Sequence, residues 1–331
     1  MIRKAVCAAI AVAFVGGAGI VTAQSNKTIT TVVKIAGIPW FNRMEEGVKE
    51  FPKTTPGVTT NQVGPAEADA AQQLKLIEDL VAKKVDALAI VPMDPGALEG
   101  VAKRAMERGI VVVTHEADSQ KNTMADIEAF DNSAFGASLN EGLSKCMGNT
   151  GKWTSFVGSL GSRTHVQWAD GGAANAKKHA GMVLVDAKNE SLDDANKAYE
   201  KAKEILKKHP DIKGFQGSAS GDIIGIGRAV EEAGLQEKIC VYGTGLPSQA
   251  SKLLETGAID GIGFWDPKNA GLAMNKVAKL LLDKKPITDG MDLGIPGYNK
   301  VIVKKGAGSG LLIVGNASVI ADKSIYKNFP F

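Results

Sequence analysis

The sequence is poor in aromatic residues and carries no large excess of charge. Phe, Trp and Tyr make up 5% of its 331 residues, and the formal net charge is +3 at pH 7. This small, scattered surplus of Lys and Arg argues against a nucleic-acid-binding protein. The four histidines show no metal-ligand spacing, and no phosphate-binding GxxxxGK(S/T) motif occurs. We therefore predict no metal and no cofactor, in a chain long enough for two domains.

One serine-rich turn raises the alternative of an enzyme. Residues 217–221 read Gly-Ser-Ala-Ser-Gly, between a predicted strand and a predicted helix, which is the context of a hydrolase nucleophile. No Asp-then-His order follows it at plausible strand ends. We therefore predict a polar turn that hydrogen-bonds a ligand or caps the helix beginning near Asp222, and a protein that is not an enzyme. A hydrolase acting through Ser220 is the alternative from a different functional class.

The N-terminal residues predict export. Residues 1–4 are basic, residues 5–21 are apolar and mostly small, and a small-residue cleavage site ends at Ala23. We predict a signal peptide over residues 1–23 and a periplasmic mature protein. The alternative is a membrane anchor, but the apolar run is near the short end for a spanning helix. The mature chain keeps Cys146 and Cys240, and an exported protein permits a disulfide that the sequence does not establish.

Apolar, β-branched runs alternate with helical patterns along the rest of the chain. The first series contains predicted strands at residues 29–37, 86–93 and 110–118, and a predicted helix over residues 68–84. A second series begins after about residue 130. Strands that alternate with helices of this length indicate parallel sheets. We therefore predict an α/β protein with two doubly wound parallel-sheet domains.

Ligands of open parallel sheets bind beyond the carboxyl ends of the strands. The segments at those ends combine aromatic planes, which pack on the C–H face of a sugar ring, with groups that hydrogen-bond its hydroxyls. We expect the segment at residues 34–43 to be such a loop, because Pro39 interrupts its apolar pattern. The candidate residues are Lys34, Trp40, Phe41, Asn42, Arg43, Glu116, Asp118, Arg163, His165, Gln167, Trp265 and Asp266.

Some neighbouring side chains have purely structural interpretations. Trp168 is predicted to pack its own helix, and Asp94 to cap the helix that follows it. Asp118 is explained equally well as a surface carboxylate and as a site residue. Asp131 and Asn132 lie where the chain passes between the domains, and they either cap a helix or reach the cleft.

Several of these segments resemble a known family. They are the K-x-x-G-x-P-W-F pattern at residues 34–41, the Trp265–Asp266 pair, and the C-terminal stretches at residues 295–303 and 310–331. Together they are similar to the periplasmic sugar-binding components of ABC transporters of the ribose-binding type, above all to the autoinducer-2 and rhamnose receptors. The resemblance covers essentially the whole mature chain.

The resemblance implies a type I periplasmic binding protein, whose two α/β domains are joined by a three-crossing hinge and close over one ligand. The N-terminal domain would comprise residues 28–129 and 265–293, and the C-terminal domain residues 130–264 and 294–331. The implied partners are a small sugar and an ABC transporter permease in the inner membrane, and the implied state is a monomer. A sugar-responsive repressor of the same fold would carry a helix-turn-helix where this chain has its predicted signal peptide.

The resemblance also implies roles for individual residues. Lys34 matches the ligand-binding lysine of these receptors, and Glu116 stands where they have an aspartate. Their adjacent Asp-Gln pair, and their proline after a later strand, are replaced in this chain. The positions concerned are Thr164, His165, Gly217 or Ser218, and the retained Ala219. Because an aspartate that holds a ligand hydroxyl is lost, we predict a pentose or 6-deoxyhexose ligand, with autoinducer-2 as the alternative.

Overall fold

The computed structural model describes residues 26–331. The predicted signal peptide, residues 1–23, lies outside the described residues. Within residues 26–331, no helix is both long enough and apolar enough to cross a membrane.

The first part of the described chain alternates strands with helices and forms a parallel sheet. Its elements are β1 (Lys27–Val32), α1 (Pro39–Thr54), β2 (Val58–Val63), α2 (Ala70–Ala82), β3 (Ala87–Ile90), α3 (Pro95–Glu107), β4 (Val111–His115) and β5 (Ala125–Glu128). β1 lies between β2 and β3, and β4 lies between β3 and β5. Every residue of β3 and β4 is buried. Such strands are covered by helices on both faces, which explains their continuous apolar sequence.

The chain then builds a second parallel sheet in the same way. Its elements are α4 (Asn132–Cys146), β6 (Thr150–Val157), α5 (Arg163–Ala176), β7 (Gly181–Leu184), β8 (Asn189–Glu190), α6 (Ala195–Lys208), β9 (Ile212–Gly217), α7 (Ser220–Glu232), β10 (Cys240–Thr244), α8 (Pro247–Thr256) and β11 (Gly261–Phe264). Its parallel strands follow the order β11-β10-β9-β6-β7. The prediction of two doubly wound, mainly parallel sheets is confirmed.

The last elements return to both sheets. They are α9 (Pro267–Leu282), β12 (Ile302–Lys305), β13 (Leu311–Val314) and β14 (Val319–Asp322). α9 packs against α1 and the first sheet, β13 pairs with β5, and β14 runs antiparallel to β11. Within residues 26–331 the chain therefore passes between the sheets three times, after β5, after β11 and after β13.

The C-terminal strands differ from the predicted domain ranges. Residues 294–331 were expected to belong wholly to the second domain, but β12 and β13 extend the first sheet and only β14 joins the second. β13 continues the ladder through the pairing of Leu311 with Ala125, and β12 pairs with β13 at the edge of the sheet. Their partly exposed, four-residue patterns give no sign of which sheet they join. The other predicted domain limits stay a prediction.

The segment after β1 also differs from its prediction. We expected a strand to residue 37 and then a loop, whereas β1 ends at Val32 and α1 begins at Pro39. Proline suits the first helical position, since its fixed φ is helical and its missing N–H would have no partner there. Trp40 and Phe41 therefore lie in the first turn of α1, and both are buried.

Two questions left open by the sequence have structural answers. Cys146, at the end of α4, and Cys240, at the start of β10, form a disulfide with their Cα atoms 6.0 Å apart. Asp131 caps α4 by accepting a hydrogen bond from the N–H of Ala134 at 2.9 Å. Asp94 caps α3 as predicted.

Candidate functional site

A small pocket lies between the carboxyl ends of the two sheets. The cavity is about 20 Å³, which is room for roughly one water molecule, since a water needs about 10–15 Å³. The described conformation is therefore closed, and a larger ligand enters only if the walls move apart. The lining residues are Lys34, Ile38, Trp40, Phe41, Glu116, His165, Trp168, Asp193, Ser218, Ser220, Thr244 and Trp265.

An ion pair lies at the base of the pocket. The Lys34 Nζ, just after β1, is 2.5 Å from the Glu116 Oε2, just after β4, and the two residues are 2% and 4% exposed. Burial by itself would raise the pKa of Glu116, but the charge of Lys34 lowers it to about 2. The backbone of Glu116 has a φ of 59°, in the left-handed region that only a small fraction of non-glycine residues adopt.

Side chains from α5, which packs on the second sheet, form hydrogen bonds with both members of this pair. The Lys34 Nζ also donates to the Ser162 Oγ at 3.2 Å, and the Thr164 Oγ1 donates to the Glu116 Oε2 at 3.3 Å. Ser162 and Thr164 both belong to the N-terminal end of α5. The ion pair therefore joins the two halves of the molecule as well as lining the pocket.

His165 is a neutral, buried side chain. Its Nδ1 accepts a hydrogen bond from the N–H of Gly158 at 3.1 Å. Burial, followed by the charge of Lys34, lowers its pKa well below the ordinary value. A neutral imidazole that accepts at Nδ1 carries its proton on Nε2, so His165 has one hydrogen-bond donor left for a ligand.

Three tryptophans form the apolar part of the wall. The ring centroid of Trp265 lies 4.6 Å from that of Trp40 and 5.7 Å from that of Trp168, both in edge-to-face arrangements. The Trp168 Nε1 donates to the Asn132 Oδ1 at 2.8 Å. Trp168 therefore packs as predicted and also lines the pocket. Asn132 reaches the cleft indirectly, through this hydrogen bond.

Three predicted site residues lie outside the pocket lining and bind one another or the backbone. Arg43 forms two hydrogen bonds with Asp266, from Nε to Oδ1 at 2.9 Å and from Nη2 to Oδ2 at 2.8 Å. Asp266 also caps α9 through the N–H of Lys268. Asn42 is exposed and donates to the carbonyl of Gly37. The two hydrogen bonds between Arg43 and Asp266 thus link α1 to the start of α9.

Asp118 joins the two halves at the rim of the pocket. Its Oδ1 accepts from the Arg163 Nε at 2.8 Å, and its Oδ2 accepts from the Gln167 Nε2 at 2.6 Å. Both donors lie on α5. Asp118, Arg163 and Gln167, as predicted, are close together, but within the described residues they bind one another beside the pocket.

The serine-rich turn before α7 is a helix cap. The Asp222 Oδ2 accepts from the N–H groups of Ser218 and Ala219 at 3.0 and 2.8 Å. Ser218 and Ser220 line the pocket, whereas Ala219 is the N-cap residue of α7 and lies outside the lining. The central residue of the turn is Ala219 and not a serine, so the turn lacks the GxSxG pattern. Within residues 26–331, no hydrogen bond joins Ser220 to a histidine.

The sequence reasoning missed five lining residues: Ile38, Trp168, Asp193, Thr244 and, as a contact residue, Ser220. Asp193 is the most informative of them, because its Oδ2 is enclosed and has no hydrogen-bond partner among the described residues. Burial raises the pKa of Asp193 to about 6, while the charge of Lys34 opposes that shift. In the sequence it is one of two adjacent acids before a helix, a pattern that indicates only a cap.

The chain is similar to known proteins in sequence and in fold. The sequence model of a family described as "Periplasmic binding protein domain" matches residues 29–286. The D-allose-binding periplasmic protein of Escherichia coli (strain K12) is 28% identical over 249 residues, which are 72% of this chain and 79% of that protein.

Two solved structures share the arrangement of both sheets. An ABC transporter solute-binding protein from Clostridium phytofermentas with bound L-rhamnose has a TM-score of 0.84 and 20% identity, covering 92% of this chain and 98% of that one. LsrB from Clostridium saccharobutylicum in complex with AI-2 has a TM-score of 0.84 and 19% identity, covering 92% of this chain and 100% of that one. At these identities the similarity shows the fold alone.

Proposed function

The chain belongs to the periplasmic binding protein domain family, and on that premise we propose that it is the solute-binding component of an ABC importer. It binds one monosaccharide between its two sheets and delivers it to a membrane permease. The observation that carries the proposal is the enclosed pocket, where the buried Lys34–Glu116 pair and three tryptophan rings share one small space. Paired charges and ring planes are what a polyol with an apolar C–H face needs.

A pentose or a 6-deoxyhexose suits this lining best. Trp40, Trp168 and Trp265 give the wall a large apolar area, which favours a ring that ends in a methyl group or has no exocyclic carbon. Of the proteins compared above, one is named as binding D-allose and another contains bound L-rhamnose. An autoinducer-2 receptor is the second candidate, because LsrB shares the fold to the same TM-score as the rhamnose protein.

Binding is coupled to closure of the two halves. Lys34 and Glu116 come from the first sheet, and His165 and Ser218 from the second. A ligand that contacts both sets gains its full hydrogen bonding only in the closed state, so it shifts the population toward that state. The closed form is what the permease in the inner membrane recognises. The mature protein is a periplasmic monomer without catalytic activity.

Calorimetry on wild-type protein and two variants tests the site. L-rhamnose, D-ribose, D-allose, D-arabinose and autoinducer-2 are titrated into the mature protein, after a thermal-shift screen has identified which of them stabilise it. Glu116→Ala and Trp265→Ala each weaken binding of the identified ligand by roughly 1–3 kcal/mol, the cost of orphaned partners or lost aromatic contact. Glu107→Ala is the matched control, because Glu107 is exposed on α3 and, among residues 26–331, forms an ion pair only with Lys103 on the same helix.

The outcomes separate the competing functions. If Glu116→Ala and Trp265→Ala are folded by circular dichroism and both bind with wild-type affinity, the pocket is not the ligand site. Release of product from a sugar or ester, lost in Ser220→Ala, favours the hydrolase. Saturable binding without turnover favours the receptor.

A further inference from the structure

Asp193 is a pocket carboxylate to which the fold gives no structural task. It lies between β8 and α6, and in the described part of the chain its Oδ2 makes no hydrogen bond. The adjacent Asp194 has a different role, because it caps α6 by accepting from the N–H groups of Asn196 and Lys197. An enclosed carboxylate oxygen without a donor is costly, so its retention in a pocket wall points to a ligand that supplies the donor.

The backbone holds this carboxylate in place at a conformational cost. Leu192 and Asp193 have φ values of 54° and 55°, in the left-handed region, which is unfavourable for leucine. The N–H of Leu192 donates to the carbonyl of Gly158 at 2.7 Å. A Cβ atom at position 158 would lie 2.5 Å from the Asp193 Oδ2. The absence of a side chain on Gly158 therefore lets the carboxylate approach the wall beside His165.

The charged side chains that line the pocket do not balance one another. The charge of Lys34 is already matched by Glu116 at 2.5 Å. His165 is neutral, because burial and then the charge of Lys34 lower its pKa. Asp193 adds a further negative charge whenever it is ionised. At neutral pH the lining therefore carries one net negative charge.

The mouth of the pocket is also negatively charged. It is an outer cavity of about 500 Å³ that shares Ile38, Asp193 and Ser220 with the pocket. Its other charged lining residues, within the described chain, are Glu67, Asp69, Asp194 and Lys197. The path to the pocket is therefore acidic, although the whole chain has a formal charge of +3. Such a path attracts cations and repels anions.

We propose that Asp193 selects the ligand by charge: it accepts hydrogen bonds from two hydroxyl groups, or from an amino group, of the bound sugar and excludes sugar acids and sugar phosphates. The inference rests on the proposed function and names the class of sugar that the pocket takes. A carboxylate can accept two hydrogen bonds side by side from adjacent donors. An anionic group placed against it in an enclosed space would be strongly repelled.

A set of sugars that differ in charge tests the proposal. L-rhamnose, D-ribose and D-allose are neutral, D-galacturonate is anionic and D-galactosamine is cationic. Wild-type protein binds at least one neutral sugar and shows no binding of D-galacturonate. Asp193→Asn weakens the neutral sugar at least tenfold and weakens D-galactosamine, where it binds, by a larger factor. The matched control Asp79→Asn, on the exposed side of α2, leaves all affinities unchanged.

Two further measurements separate a ligand contact from a structural role. Asparagine adopts the left-handed backbone region as readily as aspartate, so unliganded Asp193→Asn is expected to unfold at a temperature no lower than that of the wild type. Affinity in the wild type should fall as the pH drops below about 6, where Asp193 takes up a proton, and this fall should be absent in Asp193→Asn.

The other groups that face Asp193 do not account for this pH dependence. They are Lys34 and Glu116 from the first sheet, His165 on α5, Asp222 on α7 and Lys197 on α6. The pKa of Glu116 is about 2 and that of His165 is well below its usual value. Burial raises the pKa of Asp222 to about 7. The charge of Asp193 contributes to this rise, so Asp222 titrates at a lower pH in Asp193→Asn. Asp222 caps α7 and does not line the pocket, so the fall in affinity is assigned to Asp193.

The possible failures are distinguishable. If Asp193→Asn binds the neutral sugar with wild-type affinity, or if wild-type protein binds D-galacturonate as tightly, the charge-selection proposal is overturned while the sugar receptor stands. If the wild type binds no sugar of any charge, the proposed function fails and this inference fails with it.

Discussion

Removing the positive charge of Lys34 should destabilise the protein by about 3 kcal/mol at pH 7. Lys34 and Glu116 are both almost completely buried, and loss of one partner of a buried pair costs about 3–5 kcal/mol because it leaves an uncompensated charge. The pKa of Glu116 gives a similar magnitude. It is lowered from 4.5 to about 2, and a shift of this size corresponds to about 3 kcal/mol in favour of the ionised form.

Urea unfolding of three variants measures this cost. Lys34→Met keeps the length of the side chain and removes its charge, and the double variant Lys34→Met/Glu116→Gln removes both charges. The single variant should lose about 3 kcal/mol, and the double variant should recover a large part of the loss, because no buried charge remains. Lys103→Met is the control, since Lys103 belongs to an exposed pair with Glu107, and exposed pairs contribute only about 0–1 kcal/mol.

The pH dependence of stability gives an independent check. The folded pKa of Glu116 is depressed, so its contribution to stability is present above the unfolded value of 4.5 and is lost as the pH falls from about 4.5 to about 2. Glu116→Gln should therefore flatten the acid limb of the stability curve. A loss in Lys34→Met no greater than in Lys103→Met, with no recovery in the double variant, would refute the reasoning.

Two further perturbations act on stability away from this pair. The Cys146–Cys240 disulfide closes a loop with a sequence separation of 94. The double variant Cys146→Ser/Cys240→Ser should therefore lower the free energy of unfolding by on the order of 4 kcal/mol. Equal urea midpoints with and without reductant would contradict this. Burial raises the pKa of Asp126 to about 7, and the pKa of Glu128 beside it on β5 is also raised. The stability that protonated Asp126 contributes is fully present below its unfolded pKa of 3.8 and is lost as the pH rises from about 4 to about 7. The decline in melting temperature from pH 4 to 7 should therefore be smaller in Asp126→Asn, and identical slopes would show that this carboxyl does not titrate there.

The same acids explain where strand prediction failed. In the first sheet, β3 and β4 were readable because burial on both faces requires continuous apolar runs. β5 was missed, since Asp126 and Glu128 occupy two of its four positions although the strand is buried. Thr114 lies opposite, donating to the Asp126 Oδ1 at 2.7 Å. A buried strand with acids has the composition of a loop, and only its partners across the sheet reveal it.

The site was predictable to the extent that strand ends determine it. Lys34 and Glu116 lie near the ends of strands that were recognised from their pattern, whereas Trp265 was named from the Trp-Asp pair it forms with Asp266 and its strand, β11, was not predicted. The structure brings all three to the pocket. Arg43 and Asp266 also come shortly after strands, but they are 223 positions apart in the sequence and bind each other. A single sequence does not show that two polar groups satisfy one another over such a separation, so both resembled ligand contacts.

The division of contacts between the two halves decides what a ligand must be able to do. In the closed state the halves already bind each other directly, through Lys34 with Ser162 and through Asp118 with Arg163. A ligand that touched one half alone would have equal affinity for open and closed states and would shift nothing. Asp193 offers an unused acceptor on the second half, opposite the ion pair of the first. A sugar that donates to Asp193 while it packs on Trp40 therefore links the two halves, and this link makes closure depend on the ligand.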